Sequence, residues 1–111
     1  MAMREWENKL ARYVELCDQE GEARAELENH DNVKATVIAL AMRAAEVDGH
    51  KSAAAQRREA DASPEYRQWC VERFAAAKVY HGARLRRRAA EAWFDMARSE
   101  ESSRRAEMQF Q

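Results

Sequence analysis

Residues 60–70, ADASPEYRQWC, contain the only proline of the chain and its clearest signal for a turn. Ser63 suits a helix N-cap, and Pro64 suits the first helical position because its missing N–H would have no partner there. Glu65 follows in the first turn, where the positive end of the helix dipole favours a carboxylate. The stretch therefore predicts a turn at residues 61–63 and a helix that begins at Pro64.

The sequence after this turn predicts one long helix over residues 64–108. Apolar side chains recur there at intervals of three or four residues, which is the period of one helix face. They are Tyr66, Cys70, Phe74, Ala77, His81, Leu85, Ala89, Ala92 and Met96. Gly82 weakens this helix without requiring a break. At 1.5 Å per residue the helix is roughly 67 Å long, so it needs a partner segment of similar length.

The sequence before the turn carries two further apolar stripes at helical spacing. They are Trp6, Leu10, Tyr13 and Cys17, and then Val33, Val37, Leu40, Ala41, Ala44 and Val47. Between them, Asp31 or Asn32 can cap a new helix by accepting hydrogen bonds from its first amides. We predict helices over residues 3–29 and 32–61, with one continuous helix as the alternative. Gly49 is a candidate for a bend in the second helix.

Composition favours an all-α protein. The 111 residues include 3 glycines and 1 proline, well below the roughly 7% and 5% of ordinary globular proteins. Alanine, glutamate and arginine, which dominate the chain, are all good helix formers. We therefore predict a single domain, residues 1–111, that folds as an elongated antiparallel helical hairpin with an additional N-terminal helix.

Charge is distributed unevenly along the chain, although the formal net charge is only −1. Residues 1–62 hold nine basic and thirteen acidic side chains, a net of −4, whereas residues 63–111 hold ten and seven, a net of +3. Such polarity steers an anionic partner to one part of the chain, or lets acidic and basic surfaces of neighbouring subunits meet.

No apolar run reaches the roughly 18 residues that span a bilayer, and MAMREWENKL lacks the apolar core of a signal peptide. We therefore expect a cytoplasmic location and no membrane partner. Cys17 and Cys70 each lie in an apolar stripe without a second ligand at metal-binding spacing. This favours reduced core thiols, and a disulfide between them stays open if their helices pack at that level.

The large apolar side chains exceed what one thin hairpin covers. Trp93 and Phe94 are adjacent, so they point roughly 100° apart on a helix and one seam does not cover both. We therefore predict a homo-oligomer. The candidate interface residues are Trp69, Phe74, Trp93, Phe94 and Phe110.

No arrangement of residues indicates catalysis. His30, His50 and His81 are scattered without metal-binding spacing. The chain has no glycine-rich phosphate loop, and its serines have no neighbouring base that would make a nucleophile. We expect a protein that is not an enzyme and has no metal, cofactor or small-molecule substrate.

Arginines concentrate in residues 80–105, YHGARLRRRAAEAWFDMARSEESSRR. One interpretation is a solvated face on which Glu91 and Asp95 neutralise arginines one turn earlier. The other is a surface for single-stranded DNA, since arginine binds phosphate in a bidentate manner and aromatic rings stack on unpaired bases. The candidate DNA-binding residues are Lys78, Tyr80, Arg84, Arg87, Arg88, Trp93, Arg98, Arg104 and Arg105.

Residues 33–108 resemble small phage proteins of the recombination-mediator (UvsY-like) family. The resemblance lies in an alanine-rich helix, a Ser-Pro turn and a long helix with aromatic residues and late arginines. It is carried above all by SAAAQRREADASPEYRQWCVERFAAAKVY and AWFDMARSEESSRRAEM. It implies a helical oligomer that binds single-stranded DNA and helps to load a recombinase. This chain is shorter than the family pattern and nearly neutral.

Two other classes of protein fit the same sequence. Residues 4–31 contain nine acidic against four basic side chains, which suits a phage-encoded inhibitor that imitates nucleic acid and occludes a host defence complex. A solvated acidic helix face accounts for the same residues. The third class is a scaffold or assembly factor that makes no contact with nucleic acid.

Overall fold

The protein is all α-helical in the computed structural model, which describes residues 3–110. Its three helices are α1 (Met3–Val47), α2 (Ala53–Asp61) and α3 (Pro64–Gln109), and no strand occurs among the described residues. The all-α class and the antiparallel arrangement predicted from the sequence are confirmed. The contacts follow the antiparallel order, since Trp6 of α1 contacts Trp93 of α3, Glu20 contacts Arg87, and His30 contacts Trp69.

The turn between α2 and α3 forms where the sequence predicts it. The Ser63 hydroxyl accepts a hydrogen bond from the Tyr66 amide at 3.2 Å and donates one to the Ala60 carbonyl at 2.6 Å. Ser63 thus caps the start of one helix and the end of the other. Pro64 occupies the first position of α3, where no amide hydrogen is needed.

The predicted break near residues 30–32 is wrong, because α1 continues without interruption to Val47. His30 and Asp31 act as contact residues of α1 instead of capping a new helix. The His30 carbonyl accepts a 2.8 Å hydrogen bond from the Trp69 indole, and the Asp31 carboxylate accepts a 2.7 Å bond from Arg73. These contacts with α3 outweigh the weak local preference for a cap.

The break occurs at residues 48–52, inside the predicted helix 32–61. Gly49 has a φ of +103°, in the left-handed region that other residues rarely adopt. The His50 amide donates to the Ala45 carbonyl at 3.0 Å, which closes the end of α1 in the manner of a Schellman motif. Ser52 then caps α2 by accepting from the Ala55 amide at 3.1 Å.

The chain forms two compact units. Unit 1 combines the chain up to Gly21 with the chain from His81 onward, and unit 2 is Glu22–Tyr80. The sequence prediction of one domain does not anticipate this division. In unit 2, α2 packs through the fully buried Ala60 against Ile38 and Ala41 of α1, with Met42 and Tyr66 at the edge of this core.

Small side chains dominate the fully buried positions of the described helices. Six of the nine buried apolar residues in the described part of the chain are alanines, and the others are Leu16, Ile38 and Trp69. Alanine lets two helices approach closely but buries little area. The least exposed α3 positions of unit 2 are Tyr66, Trp69, Arg73, Ala76, Ala77 and Tyr80. All but Ala77 follow the spacing of three and four residues that is typical of a coiled coil.

Most of the apolar stripe predicted for α3 therefore lies off the face that contacts α1, and only Tyr66 and Ala77 of that stripe are half-buried. Phe74, Leu85 and Met96 of that stripe are 72%, 67% and 64% exposed. The sequence pattern follows the largest apolar residues, whereas the alanines allow the closest helix contact. The result is a second, uncovered apolar face on α3.

Two glycine substitutions test the observed helix boundaries. Gly21 lies inside α1 with open space around the position of a Cβ, so Gly21→Ala should raise the free energy of unfolding by about 0.5–1 kcal/mol. Gly49→Ala should lower it by roughly 1–2 kcal/mol, because its backbone is left-handed. Urea unfolding of both variants measures the difference. A loss of stability in Gly21→Ala would contradict the continuous helix.

Candidate functional site

Arg87, a candidate DNA-binding residue, joins α3 to α1 within unit 1. Its Nε donates to Glu20 at 2.6 Å, a second guanidinium nitrogen reaches the same carboxylate at 3.3 Å, and Nη1 contacts Glu91 at 2.6 Å. The Arg87 and Glu20 side chains are only 23% and 17% exposed. Arg87 is therefore held by two carboxylates and positions the helices.

The electrostatics of this cluster reflect the same contact. Hydrogen bonds from Arg87 lower the pKa of Glu20, against the opposing effect of burial, and the charges of Arg84 and Arg88 lower it further. Glu20 and Glu91 in turn raise the pKa of Arg87. The two carboxylates and three guanidinium groups leave the cluster with one excess positive charge.

A similar contact joins the two helices within unit 2. Arg73 Nε donates to Asp31 at 2.7 Å, and this hydrogen bond lowers the pKa of Asp31 and raises that of Arg73. The two side chains are 42% and 48% exposed, so solvent screens this pair more than the Glu20–Arg87 pair. No local pattern in the sequence indicates either interhelix pair, because the members of each pair lie far apart in the chain.

The last three candidate arginines form ion pairs along α3. Arg98 contacts Asp95, Arg104 contacts Glu101 at 2.7 Å, and Arg105 lies 3.7 Å from Glu101. The hydrogen bond from Arg104 lowers the pKa of Glu101. Such exposed pairs contribute little to stability. They match the interpretation of a solvated face laced with intrahelical ion pairs.

Arg84, Arg86 and Arg88 have no salt bridge among the described residues, and we call them the guanidinium cluster. Arg84 is half-buried, whereas Arg86 and Arg88 are exposed. The Arg86 guanidinium folds back over Gly82, with Nη1 3.3 Å from the position of a Cβ there. Lys78, also exposed and without a salt bridge in the described chain, precedes the cluster on α3.

The aromatic residues named as base-stacking candidates are already in contact with other groups. The Trp93 ring lies 5.4 Å from Trp6 and 5.0 Å from Phe94, and the Lys9 ammonium lies 5.1 Å from its centroid. Tyr80 is half-buried and has its own interaction partner. Base stacking on either ring would require displacing these contacts, so both roles stay predictions.

Three of the five candidate interface residues are covered within a single chain. Trp69 is 7% exposed, stacks on Tyr66 at 5.8 Å and has the Lys34 ammonium 5.4 Å from its ring. Trp93 and Phe94 both pack against Trp6, which corrects the expectation that one helix pair would not accommodate both. Phe74 and Phe110 remain 72% and 91% exposed.

Other large apolar side chains, which the interface prediction did not include, are exposed instead. Most of them lie on helix faces that point away from the buried alanines. The sequence alone does not show which face of a helix is buried. The exposed residues are Met3, Leu10, Val14, Val33, Leu40, Val47, Val71, Val79, Leu85, Met96 and Met108. Single exposed apolar residues are ordinary, but residues in a row on one helix face are typical of binding surfaces.

One such row lines a groove in unit 2, which we call the unit 2 groove. Its volume is about 600 Å³, and its floor contains Val33, Val37, Leu40 and Ala44 of α1. Trp69 forms part of its α3 wall. Polar and charged residues complete the lining, namely Asn29, His30, Glu65, Gln68 and Glu72. The carboxylates therefore lie on the α3 side, and the α1 side has none.

The described residues offer no metal centre, since no group of three or more His, Cys, Asp or Glu side chains within 3–110 could hold an ion.

Cys17 and Cys70 are both free thiols, and Cys70 is exposed, contrary to the expectation of a core thiol. Each forms a hydrogen bond with a tyrosine four residues earlier, which raises the pKa of Tyr13 and of Tyr66.

Comparison of the chain with protein-family models, curated proteins and solved structures gives no match. Within residues 3–110, no helix combines the length and apolar character needed to cross a membrane. The structural features that bear on function are therefore the guanidinium cluster, the unit 2 groove and the uncovered α3 face.

Substitution of Glu20 tests the role of the buried ion pair through its pH dependence. Because the pKa of Glu20 is lowered from its ordinary value of 4.5, its contribution to stability is present above that pH and is lost as pH falls through the folded-state value. Glu20→Gln should therefore be less stable than wild type at neutral pH, and the difference should shrink below about pH 4. Thermal unfolding across this pH range measures it.

Glu22→Gln provides the matched control, because Glu22 is exposed on the same helix and has no ion pair in the described part of the chain. Glu22→Gln removes no interhelix contact, so its stability at neutral pH should stay close to that of wild type. Stability curves of wild type and Glu20→Gln that stay parallel down to about pH 3 would contradict a structural role for the pair.

Proposed function

We propose that this protein is a non-enzymatic accessory protein of phage recombination, which binds single-stranded DNA as an oligomer and helps to load a recombinase. The observation that supports it best is the guanidinium cluster. Arg84, Arg86 and Arg88 lie within five residues of α3, and none is neutralised by a salt bridge in the described structure. Guanidinium groups bind phosphate oxygens in a bidentate manner.

The set of DNA-contacting residues proposed here differs from the sequence-based set. Lys78, Arg84 and Arg88 remain in it, and Arg86 joins them. Arg87 leaves it because Glu20 and Glu91 already occupy its donors. Arg98, Arg104 and Arg105 contribute only if a phosphate replaces their carboxylate partners, which is feasible for exposed pairs.

Oligomerisation is part of this proposal because one copy offers few phosphate contacts. For a single strand, each phosphate contact steepens the slope of log affinity against log salt concentration by about 0.7 and contributes little affinity by itself. Repetition of the cluster on several copies would convert these contacts into high affinity through effective concentration. The uncovered apolar face of α3 supplies a physical reason for copies to associate.

Titration of a labelled single strand tests the proposal. We expect an increase in fluorescence anisotropy at about 50 mM salt, and three phosphate contacts should weaken binding roughly 20-fold between 50 and 200 mM salt. The triple substitution of Arg84, Arg86 and Arg88 to Glu should abolish binding while circular dichroism stays helical. Failure of the wild-type protein to bind at low salt would contradict the proposal.

A matched control separates a specific surface from net charge. Arg4, Arg43 and Arg67 are also exposed arginines without an ion pair in residues 3–110, and their triple substitution to Glu changes the net charge equally. This variant should keep most of the strand binding. Equal loss in both triple variants would indicate general electrostatic attraction and would remove the argument for the cluster.

The second candidate is a protein inhibitor of a host defence complex, and the unit 2 groove favours it as a protein-binding feature. The acidic side chains that would imitate nucleic acid lie on α1. Those that are exposed and have no ion pair in the described structure include Glu5, Glu7, Asp18 and Glu22. This inhibitor would lower the binding of DNA to the defence complex without binding the strand itself. Strand binding by the wild-type protein would exclude it as the primary function.

A further inference from the structure

The floor of the unit 2 groove matches a stripe on the exposed face of α3 in unit 1. Val33, Val37, Leu40 and Ala44 follow one another at intervals of four, three and four residues. The stripe consists of Leu85, Ala89, Ala92 and Met96, which have the same spacing and are all exposed. Because the two sets of residues have equal spacing, the side-chain ridges of one helix can pack into the grooves of the other over about three turns.

We propose that the unit 2 groove binds the Leu85–Met96 stripe of a second copy, so that copies of this chain join head to tail. The proposal deepens the assembly part of the proposed function and rests on it. Two alanines in the middle of the stripe permit a close approach to the groove floor. Leu85 and Met96 supply the larger side chains at its two ends.

Charge favours this pairing over any symmetric one. Glu65 and Glu72 line the α3 side of the groove and form no salt bridge in the described residues. Arg84, Arg86 and Arg88 flank the stripe. On the flank that carries Arg84 and Arg88, the Asp95 carboxylate is paired with Arg98. Groove against groove would oppose carboxylates, and stripe against stripe would oppose guanidinium groups, whereas groove against stripe pairs opposite charges.

The arrangement leaves guanidinium groups for DNA. At 100° per residue, Arg86 lies on one flank of the stripe, and Arg84 and Arg88 lie on the other. Only the α3 side of the groove carries carboxylates, so one flank of the stripe meets them. The other flank stays exposed in each copy, and repetition of a head-to-tail contact extends to a closed ring or a filament.

Two apolar-to-acid substitutions test the contact, one on each surface. Leu40→Asp disrupts the groove and Leu85→Asp disrupts the stripe, so light scattering at micromolar concentration should show the wild type as an oligomer and each variant as a monomer. Val71→Asp is the matched control, because Val71 and Leu40 are both 63% exposed and Val71 lines neither surface. It should keep the wild-type mass.

Mixing the two variants distinguishes head-to-tail from symmetric assembly. A Leu40→Asp chain keeps an intact stripe, and a Leu85→Asp chain keeps an intact groove, so their mixture should form a heterodimer with twice the monomer mass. Circular dichroism of each variant should stay helical. A monomeric wild type, equal dissociation by Val71→Asp, or no heterodimer in the mixture would overturn the inference.

These measurements contain no DNA, so they are independent of the strand-binding test. A head-to-tail oligomer that binds no single strand would leave the inference intact and contradict the proposed function. A monomer that binds the strand with the predicted salt dependence would contradict the inference and leave DNA binding in place.

Discussion

Close contact between α1 and α3 through alanine is the constraint on which the other features depend. Among residues 3–110, six of the nine buried apolar residues are alanines, five of them on α1 or α3, and alanine lets helices approach closely while little apolar area is removed from water. Trp69, Trp93 and Phe94 of α3 also contact α1, whereas Phe74, Leu85 and Met96 lie on another face of α3. The same constraint therefore produces a stable helix pair and leaves apolar surface exposed, including the unit 2 groove.

Ion pairs supplement this sparse apolar contact and determine which arginines are available for a partner. In unit 1, Arg87 is partly buried and bound by Glu20 and Glu91, and in unit 2 Arg73 is bound by Asp31. A partly buried charge that loses its partner is destabilising, so Arg87 is poorly suited to exchange its carboxylates for phosphate. Neighbouring arginines in the same short stretch thus have different roles. Arg87 positions the helices, whereas the guanidinium cluster forms no salt bridge in the described residues.

The proposed DNA binding and the proposed assembly draw on the same part of α3. The stripe offers apolar contact to a second copy, and its flanking arginines offer charge to the groove on one side and to phosphate on the other. The division of charge in the sequence, −4 in residues 1–62 and +3 in residues 63–111, is consistent with complementary surfaces on successive copies. Association and anion binding would then strengthen each other through repetition.

The sequence by itself determined the helical class, the turn at Ser63 and Pro64 and the start of α3, because each depends on residues within one or two turns of one another. Gly49 and Ser52 also carried local signals for the break at 48–52, but the capping preference of Asp31 and Asn32 indicated the wrong place. Only the tertiary structure decided which face of α3 contacts α1, because periodicity marks large apolar residues and not the closest approach. It likewise decided the partner of Arg87, since Glu20 lies 67 residues away and no local pattern connects the two.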